Sequence, residues 1–135
     1  MRFDVFSRKM VEHYNTEEKH INISIANPKA PKAKLPELES RVDAIFITCA
    51  DSGRVGFKVS EGDLFNKSLA EAVWKFIDKY KDEVDLIVVN CELGISRSSG
   101  MAAAISKILN GDDMYFFKYF IPNMHVYRKM MEVKS

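Results

Sequence analysis

A cysteine and an arginine stand six positions apart in the segment VVNCELGISRSS, residues 88–99. An apolar run precedes Cys91, and Gly94 can adopt backbone angles that other residues resist. A short loop that curls into a helix N-terminus directs several N–H groups at one point, where an oxyanion with three or four oxygens can bind. Arg97 would add a planar fork that holds two of those oxygens. The types and spacing therefore predict a thiolate facing a tetrahedral oxyanion, which suits covalent phosphoryl transfer.

The elements around this segment would hold Cys91 at the end of a buried strand. Leu86–Val89 is a continuous apolar run, typical of a parallel strand that is covered on both faces. Ser98–Leu109 is rich in small residues and predicts a helix, which Asn110 and Gly111 would stop. The phosphate-binding loop would thus connect a central strand to a helix.

The rest of the chain alternates predicted strands and helices. Three further strands are predicted at Phe3–Phe6, Ile21–Ala26 and Asp43–Ala50. The other predicted helices are Arg8–Tyr14 with Ser7 as its cap, a helix after the N-cap Asn66, and one after Pro122-Asn123. A loop is predicted at Asp51–Asp63, with a short extended piece at Val55–Val59. We therefore expect a single α/β domain over residues 1–135, with a central, mainly parallel sheet of four to five strands and helices on both faces.

Composition narrows the function classes. Twenty basic and nineteen acidic residues leave a net charge of +1, which argues against a general nucleic-acid binder. We expect no membrane span, since no window approaches ~18 apolar residues, and no signal peptide at the start. A cytoplasmic protein with reduced Cys49 and Cys91 follows as the expectation. The three histidines lack metal-ligand spacing, so we expect neither a metal nor a cofactor.

The segment NCELGISRSS resembles the Cys-x5-Arg-Ser signature of the cysteine-dependent protein tyrosine phosphatase superfamily, and within it the small dual-specificity phosphatases. CELGISRSSGMAAAISKILNGDD and PNMHVYRKM are similar to a compact bacterial or phage branch of that superfamily. The resemblance covers residues 1–133 and is most specific over 64–131.

The resemblance implies a role for each residue of the loop. Cys91 would be the nucleophile, Arg97 would clamp the phosphate, and the Ser98 hydroxyl would bond to the departing thiolate. Ser98 could also be an ordinary helix cap. Glu92 and Leu93 would face outwards and touch the substrate. The cradle would be lined by the backbone N–H groups of Glu92, Leu93, Gly94, Ile95, Ser96 and Arg97.

One residue departs from the family pattern. The family usually places His directly before the cysteine, where this chain has Asn90. We expect the amide to bond to neighbouring backbone and hold the loop, although it cannot carry a charge. Turnover is therefore expected to be slow.

Three carboxylates could supply the proton that the leaving oxygen needs, namely Asp51, Asp63 and Glu61. Asp51 directly follows DAIFITCA, which we expect to be a largely buried strand beside the Cys91 strand. Asp51 is therefore favoured, although an aspartate before Ser-Gly is also a common turn former. Cys49, two residues earlier, could form a reversible disulfide with Cys91 or be a packed core residue.

The expected function is a phosphatase that hydrolyses phosphomonoesters, above all phosphotyrosine in proteins. Its partners would be a phosphorylated protein or a small phosphomonoester, with no nucleic acid and no membrane. The alternative is an inactive phosphate-binding module that recognises phosphorylated partners. A rhodanese-like sulfurtransferase or an arsenate reductase is disfavoured by Ser98.

Overall fold

A computed structural model describes residues 1–52 and 60–134 of the chain. The described part contains one sheet of four parallel strands in the order β1-β4-β2-β3. The predicted α/β class with a parallel central sheet is therefore confirmed. The extended piece predicted at 55–59 lies outside the described residues. The strands are β1 (Arg2–Ser7), β2 (His20–Ala26), β3 (Arg41–Thr48) and β4 (Leu86–Cys91).

Local sequence signals predicted several helix ends correctly. Asn66 caps its helix as predicted, because its Oδ1 accepts a hydrogen bond from the backbone N of Leu69 at 2.9 Å. Gly111 ends another helix in the left-handed conformation, with φ of 77°. The first helix is shorter than predicted. The helices are α1 (Arg8–Val11), α2 (Lys67–Tyr80), α3 (Arg97–Asn110), α4 (Met114–Tyr119) and α5 (Met124–Lys134).

Strand β4 occupies the interior of the sheet, as its apolar run predicts. It pairs with β1 on one side and with β2 on the other, and all six of its residues are buried. The strand continues two residues beyond Val89, so Cys91 is its last residue. The cysteine is thus at the end of a strand that, like β2, is buried along its whole length.

Strand β3 differs from the prediction in two respects. Within the described residues it pairs with β2 alone and is therefore an edge strand there, and most of its side chains are half-buried rather than buried. Strand β2 separates it from β4, so the expectation that the Asp51 strand lies beside the Cys91 strand is wrong. The residue pattern misled because β-branched and aromatic residues suit edge strands as well as central ones.

The two faces of the sheet are covered differently. Side chains of α2, α3 and α5 pack with Ile21, Ile23 and Ile87 in the main core. On the opposite face, Val11 of α1 and Ala33 pack against the other side of β4. That face is covered by one helical turn and part of the irregular 27–40 connection between β2 and β3. Within the described residues, the helices are too short or too polar to span a bilayer.

His20 makes the stability of this fold depend on pH. Its side chain is fully buried, Nδ1 lies 2.9 Å from the Glu18 carbonyl oxygen, and Nε2 has no hydrogen-bond partner among the described residues. Burial, together with the charge of Arg41, lowers the pKa of His20 below its usual 6.5. As the pH falls through the pKa that His20 has in the unfolded chain, the unfolded chain therefore binds a proton, whereas the native protein stays unprotonated at this residue.

We expect the free energy of unfolding to decrease between about pH 7.5 and 5.5 in the wild type, and to decrease less in His20→Gln. Urea titrations at several pH values measure this slope. His13 is exposed, so His13→Gln is the matched control and should keep the wild-type slope. Equal slopes in His20→Gln and the wild type would exclude His20 as the cause.

Candidate active site

The Cys91 sulfur lies between two hydrogen-bonding groups at the carboxyl end of β4. Its Sγ is 3.1 Å from the Ser98 Oγ and 3.3 Å from the backbone N of Gly94. A thiolate here would accept both hydrogen bonds. The residue is only 2% exposed, so the sulfur is almost completely shielded from solvent. The carboxyl edge of a parallel sheet is where such folds bind ligands.

The loop after Cys91 requires a glycine at its turn. Gly94 has φ of 71°, a conformation that L side chains rarely adopt. A Cβ added there would lie 2.6 Å from the carbonyl carbon of Phe6, so the loop also packs closely on the end of β1. Gly94 thus allows the curvature that turns the loop towards helix α3.

Ser98 is not the helix cap. Helix α3 begins at Arg97, one residue earlier than predicted, and Ser96 is at the N-cap position without a side-chain capping bond. Ser98 is fully buried inside the first turn, and its hydroxyl contacts the Cys91 sulfur. The sequence allows Ser98 to be either a helix cap or a hydroxyl that bonds to the cysteine sulfur, and this geometry fits the second interpretation.

Arg97 is buried at the N-terminus of α3, with 4% of its surface exposed. Its Nη1 donates to the carbonyl oxygen of Cys49 at 2.6 Å, whereas its Nε has no hydrogen-bond partner among the described residues. A buried guanidinium group is costly unless its donors are satisfied. The unsatisfied Nε is therefore a donor suited to a phosphate oxygen.

Asp51 lies at the rim of the same loop, although its strand is not next to β4. Its Oδ1 accepts a hydrogen bond from the Asn123 Nδ2 at 3.0 Å and a longer one from the Ser96 Oγ at 3.5 Å. The link between Arg97 and Cys49 brings the end of β3 towards α3. The predicted nucleophile, clamp and acid are thus connected by a few hydrogen bonds.

Asn123 is the site residue that the sequence prediction missed. Its Oδ1 caps α5 by accepting from the Val126 backbone N at 3.1 Å, and its own backbone N donates to the Ser96 carbonyl oxygen at 2.9 Å. A Cβ at Gly100 would be 2.5 Å from the Asn123 carbonyl oxygen, so this close approach needs glycine. Two features of the sequence could have indicated this role. One is an asparagine after Pro122 at the start of a helix, and the other is the glycine in SSGMAAA.

The other two acid candidates lie on a short turn beside the end of β3. Asp63 and Glu61 are both exposed in a short 3₁₀ turn, Glu61–Asp63. The backbone carbonyl oxygen of Asp63 accepts from the Ala50 N at 2.7 Å, which places this turn beside the end of β3. Within the described residues, neither carboxylate contacts the loop between β4 and α3.

Asn90 does not hold the loop in the expected way. Its side chain is buried, and neither its Oδ1 nor its Nδ2 has a hydrogen-bond partner within the described part of the chain. Asn90 faces the opposite side of β4 from Cys91, because side chains alternate along a strand. The expected bond from this amide to neighbouring backbone is therefore absent there.

The outward-facing side chains of the loop include two apolar ones and one charged one. Leu93 is 61% exposed and Ile95 is 47% exposed. Glu92 instead pairs with Arg8, with 3.1 Å between the Glu92 Oε1 and the Arg8 Nη1. Leu93 and Ile95 are therefore the loop side chains most open to a substrate.

Both cysteines are buried free thiols and do not form a disulfide with each other. Burial raises the pKa of the Cys49 thiol to about 11, although Arg97 opposes the shift. Cys49 is thus a neutral thiol at physiological pH. Its backbone oxygen accepts the hydrogen bond of the Arg97 Nη1, and its thiol also lies within the electrostatic reach of Arg97.

In the described ranges, no cluster of three or more His, Cys, Asp or Glu side chains could hold a metal ion. A scan against protein-family models and a search of curated proteins each found no match to this chain. The roles of Cys91, Arg97 and Asp51 are therefore inferred from the sequence pattern and from the contacts described above.

Proposed function

We propose that this protein is a cysteine-dependent phosphatase that hydrolyses phosphomonoesters, above all phosphotyrosine in proteins, through a cysteinyl-phosphate. The observation that supports this most is the position of the Cys91 sulfur. It lies within hydrogen-bonding distance of the Ser98 hydroxyl and the Gly94 amide, at the start of a helix whose first residue is the buried Arg97. The N-terminus of α3, the backbone amides of the loop and the Arg97 guanidinium group all favour the binding of an anion at one position.

In the first step, the Cys91 thiolate would attack phosphorus while the ester oxygen departs. An S–P bond forms and the P–O bond of the ester breaks, with the bonding electrons leaving on the oxygen. Asp51, held by the hydrogen bonds that its Oδ1 accepts from Asn123 and Ser96, would give that oxygen a proton. Arg97 would hold two equatorial oxygens through its Nε edge.

In the second step, water would attack the cysteinyl-phosphate. The Asp51 carboxylate takes a proton from the water, an O–P bond forms, and the S–P bond breaks. The Cys91 sulfur leaves as a thiolate and accepts the hydrogen bond of the Ser98 hydroxyl, 3.1 Å away. Inorganic phosphate is released, and Asp51 is protonated for the next cycle.

The exposed side chains of the loop favour an aromatic leaving group. Leu93 and Ile95 present apolar surface next to the cradle, and no lysine occurs in residues 92–96. A flat aryl ring can bury apolar area there, which is worth about 25 cal/mol per Å². A polyphosphorylated sugar has no such area and would need cations instead.

Asn90 favours the second candidate, a phosphate-binding module without turnover. This buried amide has no hydrogen-bond partner in the described structure, and it cannot supply the charge of the histidine that the family usually has there. Such a protein would retain the cradle and Arg97 but lack effective attack by Cys91.

Hydrolysis of p-nitrophenyl phosphate by the purified protein, in the presence of EDTA and with vanadate as inhibitor, separates the two candidates. We expect metal-independent turnover, vanadate inhibition, and a phosphorylated protein that acid quenching traps. Vanadate binding without turnover would instead establish the binding module. Neither binding nor turnover would reject both.

Asp51→Asn should lower kcat/KM for phosphotyrosine by about 10²-fold, because the leaving phenolate then departs unprotonated. The loss should be much smaller with p-nitrophenyl phosphate, whose leaving group needs little protonation. The pH profile for phosphotyrosine should also lose its fall on the alkaline side. Asp63→Asn is the matched control and should behave as the wild type. An equal loss on both substrates would mean that Asp51 does not protonate the leaving group.

A further inference from the structure

The turn between β1 and α1 packs against the phosphate loop and supports it. The backbone N of Arg8 donates to the carbonyl oxygen of Glu92 at 3.2 Å. Gly94 packs so closely on Phe6 that a side chain would not fit. Both ends of the short segment 92–94 therefore rest on residues 6–8, more than 80 positions away in the chain.

The side chain of Arg8 adds further hydrogen bonds to this support. Its Nη1 lies 3.1 Å from the Glu92 Oε1 and 2.7 Å from the Pro31 carbonyl oxygen, and its Nη2 lies 2.8 Å from the Lys32 carbonyl oxygen. Its Nε is 3.6 Å from the Glu12 carboxylate. The side chain is 20% exposed, so these bonds are partly protected from water. One guanidinium group thus joins the 27–40 connection to the first residue after Cys91.

The geometry requires a planar fork at this position. Two carbonyl oxygens and a carboxylate are contacted by the terminal nitrogens of one side chain, which an arginine can do with rigid, separated donors. A lysine offers one nitrogen at the end of a flexible stem. Charge alone would therefore not reproduce the contacts of Arg8.

We propose that Arg8 is a positioning residue of the phosphate loop, acting through Glu92. This inference rests on the proposed function of the same site. Glu92 would then hold the loop rather than touch the substrate, which leaves substrate contact to Leu93 and Ile95. Since the loop amides must converge on the oxygens of one phosphoryl group, movement at Glu92 would misalign the donors that follow it.

The test compares Arg8→Ala, Arg8→Lys, Glu92→Ala and the double alanine variant, with Lys9→Ala as an exposed control on the same helix. The readouts are the vanadate inhibition constant and KM and kcat for p-nitrophenyl phosphate. We expect Arg8→Ala to weaken vanadate binding and to lower kcat/KM by about tenfold, since charge-assisted bonds at a partly exposed site are lost. Glu92→Ala should cost about threefold and should add little to Arg8→Ala. Arg8→Lys should recover part of the loss.

These readouts separate positioning from simple destabilisation. A substitution that merely destabilises the fold reduces the amount of folded protein and leaves the inhibition constant of the folded enzyme unchanged. Circular dichroism measures the folded fraction, and Glu92→Ala carries the test if Arg8→Ala does not fold. Vanadate inhibition equal to that of Lys9→Ala in both single variants would overturn the inference while leaving the phosphatase proposal intact. A wild type that neither binds vanadate nor turns over would overturn both.

Discussion

Cys91→Ser should abolish turnover of p-nitrophenyl phosphate, with a loss of roughly 10⁴-fold or more. A serine hydroxyl is almost entirely protonated at neutral pH. Among the described residues, the groups hydrogen-bonded to the sulfur are the Gly94 amide and the Ser98 hydroxyl, and neither is a base that would deprotonate it. The smaller oxygen fits where the sulfur was, so the cradle should stay intact. The variant should therefore still bind phosphate, and acid quenching should trap no phosphorylated protein.

The matched control is Cys49→Ser, which makes the same chemical change at a buried cysteine in the neighbouring part of the site. Cys49 contacts Arg97 through its backbone oxygen, which the substitution retains. We expect this variant to keep most of the activity, although its thermal midpoint can fall because a hydroxyl replaces a buried thiol. Activity that survives in Cys91→Ser but not in Cys49→Ser would reverse the assignment of the nucleophile.

Arg97→Lys should lower kcat/KM by about 10³-fold and weaken vanadate binding in parallel. The arginine uses Nη1 to hold the Cys49 carbonyl oxygen, which leaves its Nε edge to face the anion. A lysine keeps the positive charge but cannot make both sets of contacts with one nitrogen. The loss should exceed that of any variant in the supporting residues, because the guanidinium group would touch the reacting phosphoryl oxygens.

Steady-state kinetics and vanadate titration of Arg97→Lys give this result directly. Arg128 is exposed on α5, so Arg128→Lys is the control and should be indistinguishable from the wild type. If Arg97→Lys lost less than about threefold, the guanidinium would serve the fold by holding the end of β3 rather than the phosphate. In a binding module without turnover, the same variant should still lose vanadate affinity.

The sequence alone was sufficient for features that depend on neighbouring residues. The apolar run at Leu86–Val89 predicted the central strand, and Asn66 and Gly111 correctly predicted helix ends. The run from Cys91 to Ser98 is equally local, so the loop, its glycine turn and the helix behind it could be read from composition and spacing. Such features need no knowledge of what packs against them, because backbone preferences and capping bonds act within a few residues.

The tertiary structure decided everything that joins distant parts of the chain. Strand order placed β2 between β3 and β4, which corrected the expected neighbours of the Cys91 strand. Asn123 reaches Asp51 across 72 positions, and Arg8 reaches Glu92 across 84. Each of these contacts exists only because the sheet and its two covered faces bring the segments together. A residue's own neighbours in sequence carry no information about partners that packing selects, so the residues that can do chemistry were visible in the sequence and those that position them were not.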